Sequence, residues 1–154
     1  MVSWIWSPGE GRPLFGQVHP LRQRRAMRRL LCSICAGPAD CNGEGWLWLL
    51  RDYRGDWPGW PNGMGVLEPP VCLPCVQYSA RACPGAAEGL GGGAGGALGG
   101  GWGVRGRYRA GHSGPVVVED VTVPFEDPAI RWVCAAQLVR EIFQCRIVDL
   151  EGGE

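Results

Sequence analysis

Residues 32–35 read CSIC and residues 72–75 read CLPC, so two cysteine pairs of the form CxxC stand with 36 residues between them. Two such pairs supply the four soft ligands that tetrahedral zinc takes at about 2.3 Å. The interval is longer than in most zinc ribbons, but doubling a loop costs only about 0.6 kcal/mol. The pattern therefore predicts one structural Zn²⁺ bound by Cys32, Cys35, Cys72 and Cys75.

The sequence between and around the pairs predicts the local structure. Gly37 suits a tight turn whose backbone amides point at the first thiolates. Trp46–Leu50 is short and apolar, as expected of a buried strand, and the turn-rich stretch 51–65 predicts a loop. The second pair leads into a helix-compatible stretch, 76–83, whose N-terminal amides favour thiolates.

The order of a cysteine knuckle, a hairpin and a CxxC that opens a helix resembles a treble-clef zinc finger over about residues 32–83. Leu31–Asp40, Arg51–Trp60 and Pro70–Cys75 are also similar to small actinobacterial proteins with paired CxxC motifs. The resemblance implies the same four zinc ligands and no known activity. The glycine-rich stretch 85–103 departs from those proteins.

The cysteines also admit other interpretations. A redox CxxC cycles as a disulfide, but it usually follows a strand of a thioredoxin-like unit, which the sequence near Cys32 does not predict. Cys41 and Cys83 are alternative ligands, or an incidental and a core cysteine. Cys134 and Cys145 are expected to be small buried side chains on a C-terminal helix and strand.

Composition along the chain predicts four segments. Residues 1–26 are expected to form a flexible basic tail, with residues 21–31 capable of a short helix and Met27 an alternative start. Residues 27–84 form the zinc module. Residues 85–103 are so rich in glycine that a flexible linker is expected. Residues 104–154 are expected to form a second small unit, either separate or packed back on the zinc module to give a single domain interrupted by the linker.

That C-terminal unit is expected to follow a β-β-α-β order. Strands are predicted at Val104–Arg109 and Val116–Val123, and at Cys145–Leu150. Asp127 as N-cap and Pro128 at the first turn predict a helix that runs to about Phe143. Its apolar side would carry Trp132, Ala135, Ala136, Leu138, Val139, Ile142 and Phe143. The fold class is therefore α+β, with a βαβ crossover or a helix packed across a small sheet.

Residues for several enzyme classes are missing or badly placed. His19 and His112 are the only histidines, and neither lies between the cysteine pairs as a His-Asn-His nuclease requires. The chain contains no lysine, which argues against a phosphate-binding loop. Asp52, Asp56 and Glu44 form the weakest candidate, a small hydrolase site, although aspartates in such loops usually shape turns. A non-enzymatic protein is favoured.

Composition bears on compartment and partners. The chain begins without the basic and apolar regions of a signal peptide, and it has no apolar run of about 18 residues. We therefore expect a cytoplasmic protein with no membrane partner. In the reducing cytoplasm, the eight cysteines indicate metal binding rather than disulfide bonds. The net charge is zero, so any polyanion contact must be local.

Two arginine clusters and two tryptophans of the turn-rich loop are the candidate partner contacts. The first cluster, Arg22, Arg24, Arg25, Arg28 and Arg29, precedes the zinc module, and a second comprises Arg105, Arg107 and Arg109 around Tyr108. Arginines beside aromatics often contact phosphates, although a solvated helix face is the simpler explanation. Trp57 and Trp60 could anchor a protein partner. The predicted function is a zinc-binding adaptor contacting protein or nucleic acid, with a thiol redox or zinc-responsive sensor as the alternative.

Overall fold

A computed structural model of the chain describes residues 19–55, 57–82 and 93–148. The described residues combine helices and strands, as the α+β class predicts. No helix among them is long and apolar enough to cross a membrane. In chain order the elements are α1 (Pro20–Arg29), β1 (Cys41–Asn42), β2 (Gly45–Trp48), β3 (Met64–Val66), α2 (Leu73–Ala82), β4 (Gly93–Gly111), β5 (Gly114–Pro124), a short 3-10 helix (Pro128–Trp132) and β6 (Ala135–Val148).

The six strands form one sheet, and every described pairing is antiparallel. Its order is β1-β2-β4-β6-β3, with β5 also paired to β4. The β4–β6 ladder runs from Gly93 opposite Val148 to Gly106 opposite Ala135. On the other edge of β4, β2 pairs with its first half and β5 with its second half. Strands from the cysteine-bearing half and from the C-terminal half therefore share one hydrogen-bonded sheet.

The helix expected from Asp127 to about Phe143 is wrong. Asp127 does cap a helical turn, since its Oδ1 accepts from the amide of Ala129 at 2.8 Å. That turn is a five-residue 3-10 helix, and the chain then enters β6. The β-β-α-β order and the βαβ crossover are both replaced by antiparallel strands. Residues 135–148 pair with β4 in several stretches separated by register shifts, and with β3 at residues 140–142; this tertiary context overrides a helical apolar pattern.

The expected linker and tail also need correction. Residues 93–103 of the expected flexible linker form the first half of β4, and its residues 85–92 lie outside the described part of the chain. Residues 20–26 of the expected tail belong to α1, while residues 1–18 are likewise outside the described residues. The side chain of Gln23 anchors α1, because its Nε2 donates to the carbonyls of Leu67 and Leu138 and its Oε1 accepts from the Leu138 amide.

Several local predictions are confirmed. The short helix before the first pair exists as α1, and a strand covers most of Trp46–Leu50 as β2. The second CxxC opens α2, and the β-branched stretch 116–123 lies within β5. His19, which had no assigned role, caps α1 by accepting from the amide of Leu21 at 3.3 Å.

The segment from β2 to Leu50 separates two apolar cores. Trp48 and Leu50 are buried in the main core, where Met27 from α1 and Ile142 from β6 also lie. The alternate residues of the same segment, Leu47 and Leu49, pack against a smaller cluster of Cys32, Val71 and Val76. Because strand side chains alternate between faces, one short segment serves both cores. The first cysteine pair therefore packs against the same sheet as the main core.

Candidate metal centre

The first cysteine pair lies in a tight turn that begins after α1. Leu30 ends the helix in the left-handed conformation, with φ of 53°. The amide of Cys32 donates to the carbonyl of Gly37 at 2.7 Å, and the amide of Ala36 donates back to the carbonyl of Cys32 at 2.9 Å. A Cβ at Gly37 would lie 3.4 Å from the Sγ of Cys35, so the turn wraps closely around that sulfur. The turn thus directs both thiols of the pair to one side.

The second pair lies at the start of α2. Cys72 immediately precedes the helix and Cys75 lies in its first turn, where the amide of Val76 donates to the carbonyl of Cys72 at 3.0 Å. Asp40, which is remote in sequence, accepts from the first helical amide, that of Leu73, at 2.5 Å. An acceptor at this position satisfies one of the otherwise unpaired amides of a helix N-terminus. Asp40 therefore caps the helix that carries Cys75.

Backbone hydrogen bonds hold the two cysteine pairs together. The amide of Ser33 donates to the carbonyl of Pro70 at 2.9 Å, which joins the first turn to the segment before Cys72. Asp40 donates its amide to Val71 at 3.1 Å and accepts from Leu47 at 3.0 Å. Both pairs are consequently fixed to β2 through main-chain contacts.

These contacts bring all four predicted ligands together. The Sγ atoms of Cys32, Cys35, Cys72 and Cys75 all lie within 4.8 Å of one another, close enough to hold a metal ion. The Sγ atoms of Cys35 and Cys72 are 3.8 Å apart. A tetrahedron with metal–sulfur distances of about 2.3 Å has sulfur–sulfur separations of about 3.8 Å. The donor set and its spacing therefore fit a tetrahedral, thiolate-binding metal.

The surroundings of the sulfurs affect their ionisation unequally. Burial raises the pKa of Cys32, but amides of Cys35, Cys72 and Ile34 hydrogen-bond to it and lower its pKa to about 7. Burial raises the pKa of Cys72, and a hydrogen bond with the Cys72 side chain, together with burial, raises the pKa of Cys75 to about 12. Crowded thiols resist a second negative charge, and a bound cation relieves that repulsion.

The other cysteines stand apart from this group. Cys41 and Cys134 are exposed and Cys145 is half-buried, and none of the three joins the cluster. The expectation of a buried Cys134 on a helix is wrong, because it lies exposed between the 3-10 helix and β6. Cys83, the other alternative ligand, is outside the described residues. Among described residues, the metal-binding group is made of the two CxxC pairs alone.

Two of the three acidic residues considered for hydrolysis form ion pairs. Asp52 accepts from the guanidinium of Arg54, and hydrogen bonds from the Arg54 side chain and amide lower the pKa of that carboxyl. Glu44 pairs with Arg146. Asp56 lies outside the described residues, and His112 is exposed in the turn between β4 and β5. Asp52 is thus held ionised by its neighbour, unlike a general acid with a raised pKa.

Some of the predicted partner residues are exposed, and others are buried or hydrogen-bonded within the fold. Trp57 is 38 % exposed, whereas Trp60 is only 6 % exposed and belongs to the main core. Trp60 is therefore not a surface anchor. The guanidinium of Arg22 donates to the carbonyls of Ser33 and Ile34, and that of Arg24 donates to Ala135. Arg25, Arg28 and Arg29 are exposed on α1.

Two residues contribute to the centre in roles that the sequence did not predict: Asp40, which carried no prediction, and Arg22, which was expected only as a partner contact. Asp40 caps α2, and Arg22 ties α1 to the first cysteine turn. Neither has a local signal in the sequence, since each acts on a segment distant along the chain. In comparisons with known proteins, no family model matches the chain, and no curated protein or solved structure matches it either.

Proposed function

We propose that this chain is a non-enzymatic zinc-binding protein in which one structural Zn²⁺ is held by Cys32, Cys35, Cys72 and Cys75. The single observation that carries the proposal is that the four sulfurs lie within 4.8 Å of one another. Four protein ligands complete a tetrahedron and leave no open position for substrate, which is the pattern of structural rather than catalytic zinc. In this proposal the module is treble-clef-like and akin to the actinobacterial CxxC proteins.

The apolar cluster that packs against the cysteines is small, which indicates that a bound metal would contribute to the stability of the module. The buried members of that hydrophobic cluster are Cys32, Val71 and Val76, with Leu47 and Leu49 packed against them. So few buried side chains contribute little apolar stabilisation, and small modules of this kind commonly depend on a metal. Zinc would fasten the turn after α1 to the start of α2.

The adaptor role in the proposal is supported by what surrounds the centre. The acidic candidates Asp52 and Glu44 are ion-paired. Exposed side chains suited to recognition are instead available on α1 and in the loop after β2, where Trp57 lies. A zinc-fastened scaffold that presents such a surface binds a partner rather than transforming a substrate.

A second candidate function is a thiol redox or zinc-responsive sensor, and the exposure of Cys35 favours it. Peroxide could reach that sulfur, oxidise it with a neighbouring thiolate to a disulfide, and itself be reduced to water. Loss of two thiolate ligands would release the ion. Reversible zinc release by peroxide, restored by a thiol reductant, would support the sensor over the adaptor.

The deciding experiment is elemental analysis of protein purified without chelator, measuring zinc and iron per chain. Close to one zinc is expected, and Cys→Ser variants at each of the four positions should lose it. Cys41→Ser and Cys134→Ser are matched controls, because both residues are exposed and outside the cluster. Zinc-free protein with free or disulfide-linked cysteines would refute the proposal, and stoichiometric iron would reassign the metal.

A further inference from the structure

The exposed face of α1 carries positive charge that the described residues do not neutralise. Residues 20–39 contain five arginines and no aspartate or glutamate. Within residues 19–55, 57–82 and 93–148, no ion pair joins an α1 arginine to an acidic residue; Asp52 pairs with Arg54 and Glu44 with Arg146 instead. The chain as a whole is neutral, so this surface is a local concentration of charge.

The arginines of α1 have two different roles. Arg22 and Arg24 use their guanidinium groups on carbonyl oxygens of the same fold, at 2.6 Å to Ile34 and 2.9 Å to Ala135. Gln23 between them is 1 % exposed and bonded to β6. These three side chains hold α1 against the first cysteine turn and β6.

The remaining three arginines, Arg25, Arg28 and Arg29, form what we call the arginine face. All three are exposed, and none hydrogen-bonds through its side chain to a described residue. Positions i, i+3 and i+4 lie on one side of a helix, about 5–6 Å apart at Cβ. A rigid helix therefore presents three neighbouring guanidinium groups to solvent.

The composition of this face indicates the chemistry of its partner. Protein interfaces are usually centred on buried aromatic or apolar anchors, and the only exposed large apolar side chain of α1 is Leu21, at its first turn. Guanidinium groups match phosphates bidentately, and clustered arginines without apolar anchors suit a regular polyanion. No aromatic residue lies on α1 to stack on unpaired bases.

We propose that the arginine face binds the phosphate backbone of duplex nucleic acid without sequence preference. The inference rests on the adaptor part of the proposed function and names its partner class. Phosphate contacts position a protein on a duplex and carry no sequence information themselves. Binding would be local to α1 and strongly weakened by salt, because each contact displaces condensed counterions.

The test compares two triple variants of the full chain, both of which remove three positive charges. Arg25→Gln, Arg28→Gln and Arg29→Gln together remove the arginine face. Arg51→Gln, Arg81→Gln and Arg131→Gln together form the control, since these arginines are exposed elsewhere on the molecule. Affinity for short fluorescent DNA duplexes of two unrelated sequences is measured between about 50 and 200 mM salt. Zinc content and thermal unfolding are measured on the same preparations.

The arginine-face variant should bind about tenfold more weakly or worse, equally for both sequences, with the slope of log K against log salt reduced by about 2.7. The control variant should bind like the wild type, and both variants should retain zinc. Equal losses in the two variants, or no loss in either, would overturn the inference. So would tighter arginine-face-dependent binding to an acidic polyglutamate peptide than to DNA. Absence of zinc from the wild type would refute the metal proposal separately.

Discussion

The Sγ of Cys35 lies 3.8 Å from the Sγ of Cys72, although the two residues belong to different CxxC pairs. Local turns account for the spacing within each pair, but not for this contact between pairs. The contact depends on the backbone hydrogen bond from Ser33 to Pro70 and on Asp40, which bonds to Val71 and to the start of α2.

Replacing any one of the four clustered cysteines should remove both metal and stability. Saturating zinc at about 1,000 times Kd stabilises a folded protein by about 4 kcal/mol. For a chain of this size such a loss corresponds to roughly 8–16 °C in Tm. Cys32→Ser is the first variant to examine by calorimetry beside zinc analysis. Cys134→Ser should melt with the wild type, and a Tm for Cys32→Ser equal to that control would contradict a structural metal.

Asp40→Ala should destabilise the protein by about 1–2 kcal/mol, because the amide of Leu73 loses its cap. Asp40→Asn retains an oxygen acceptor and should recover most of that loss. Urea denaturation measures both variants at one zinc concentration. Glu68→Ala is the matched exposed carboxylate and should change stability by no more than roughly 0.5 kcal/mol. Equal stability of Asp40→Ala and Glu68→Ala would show that the cap contributes nothing.

Gly103→Ala should destabilise the sheet, since a Cβ there would overlap the carbonyl group of Val123 in β5. That carbonyl group and the nearby Cα of Pro124 are both backbone, so the strands must separate, and we expect a cost of about 1–3 kcal/mol or more. Gly43→Ala is the control, because a Cβ at Gly43 has no neighbour within 4 Å among the described residues. Chemical denaturation of both variants decides; a Gly103→Ala protein as stable as Gly43→Ala would contradict the β4–β5 packing.

Trp60→Ala should cost about 3–5 kcal/mol by opening a cavity in the main core, where Trp60 is 6 % exposed. Trp60→Phe should cost less, because the buried indole N–H has no hydrogen-bond partner among the described residues. Trp57→Ala should cost under about 1 kcal/mol, since that side chain is 38 % exposed. Equilibrium unfolding, monitored by circular dichroism, compares the stabilities of the three variants. Similar losses for Trp57→Ala and Trp60→Ala would contradict the assigned burial.

The cysteine pairs, the helix that follows Cys72 and the strand at Trp46 were predictable because their signals are local. Turn residues and helix-terminus amides act within a few positions of the residue concerned. Asp127 shows the limit of such signals: it caps a helical turn as predicted, yet the turn ends at Trp132. A capping residue indicates where a helix begins, but it does not determine the length of that helix.

The sequence by itself determined which side chains could bind a metal, since CxxC spacing and thiol chemistry are properties of short segments. Only the tertiary structure decided the conformation of residues 93–103 and 135–148. Leu138, Val139 and Ile142 fit a helical stripe, and the glycines of the preceding stretch favour disorder, yet the two segments pair as β4 and β6. The hydrogen bonds of each strand are supplied by its neighbours in the sheet, so neither segment alone contains the information that selects its conformation.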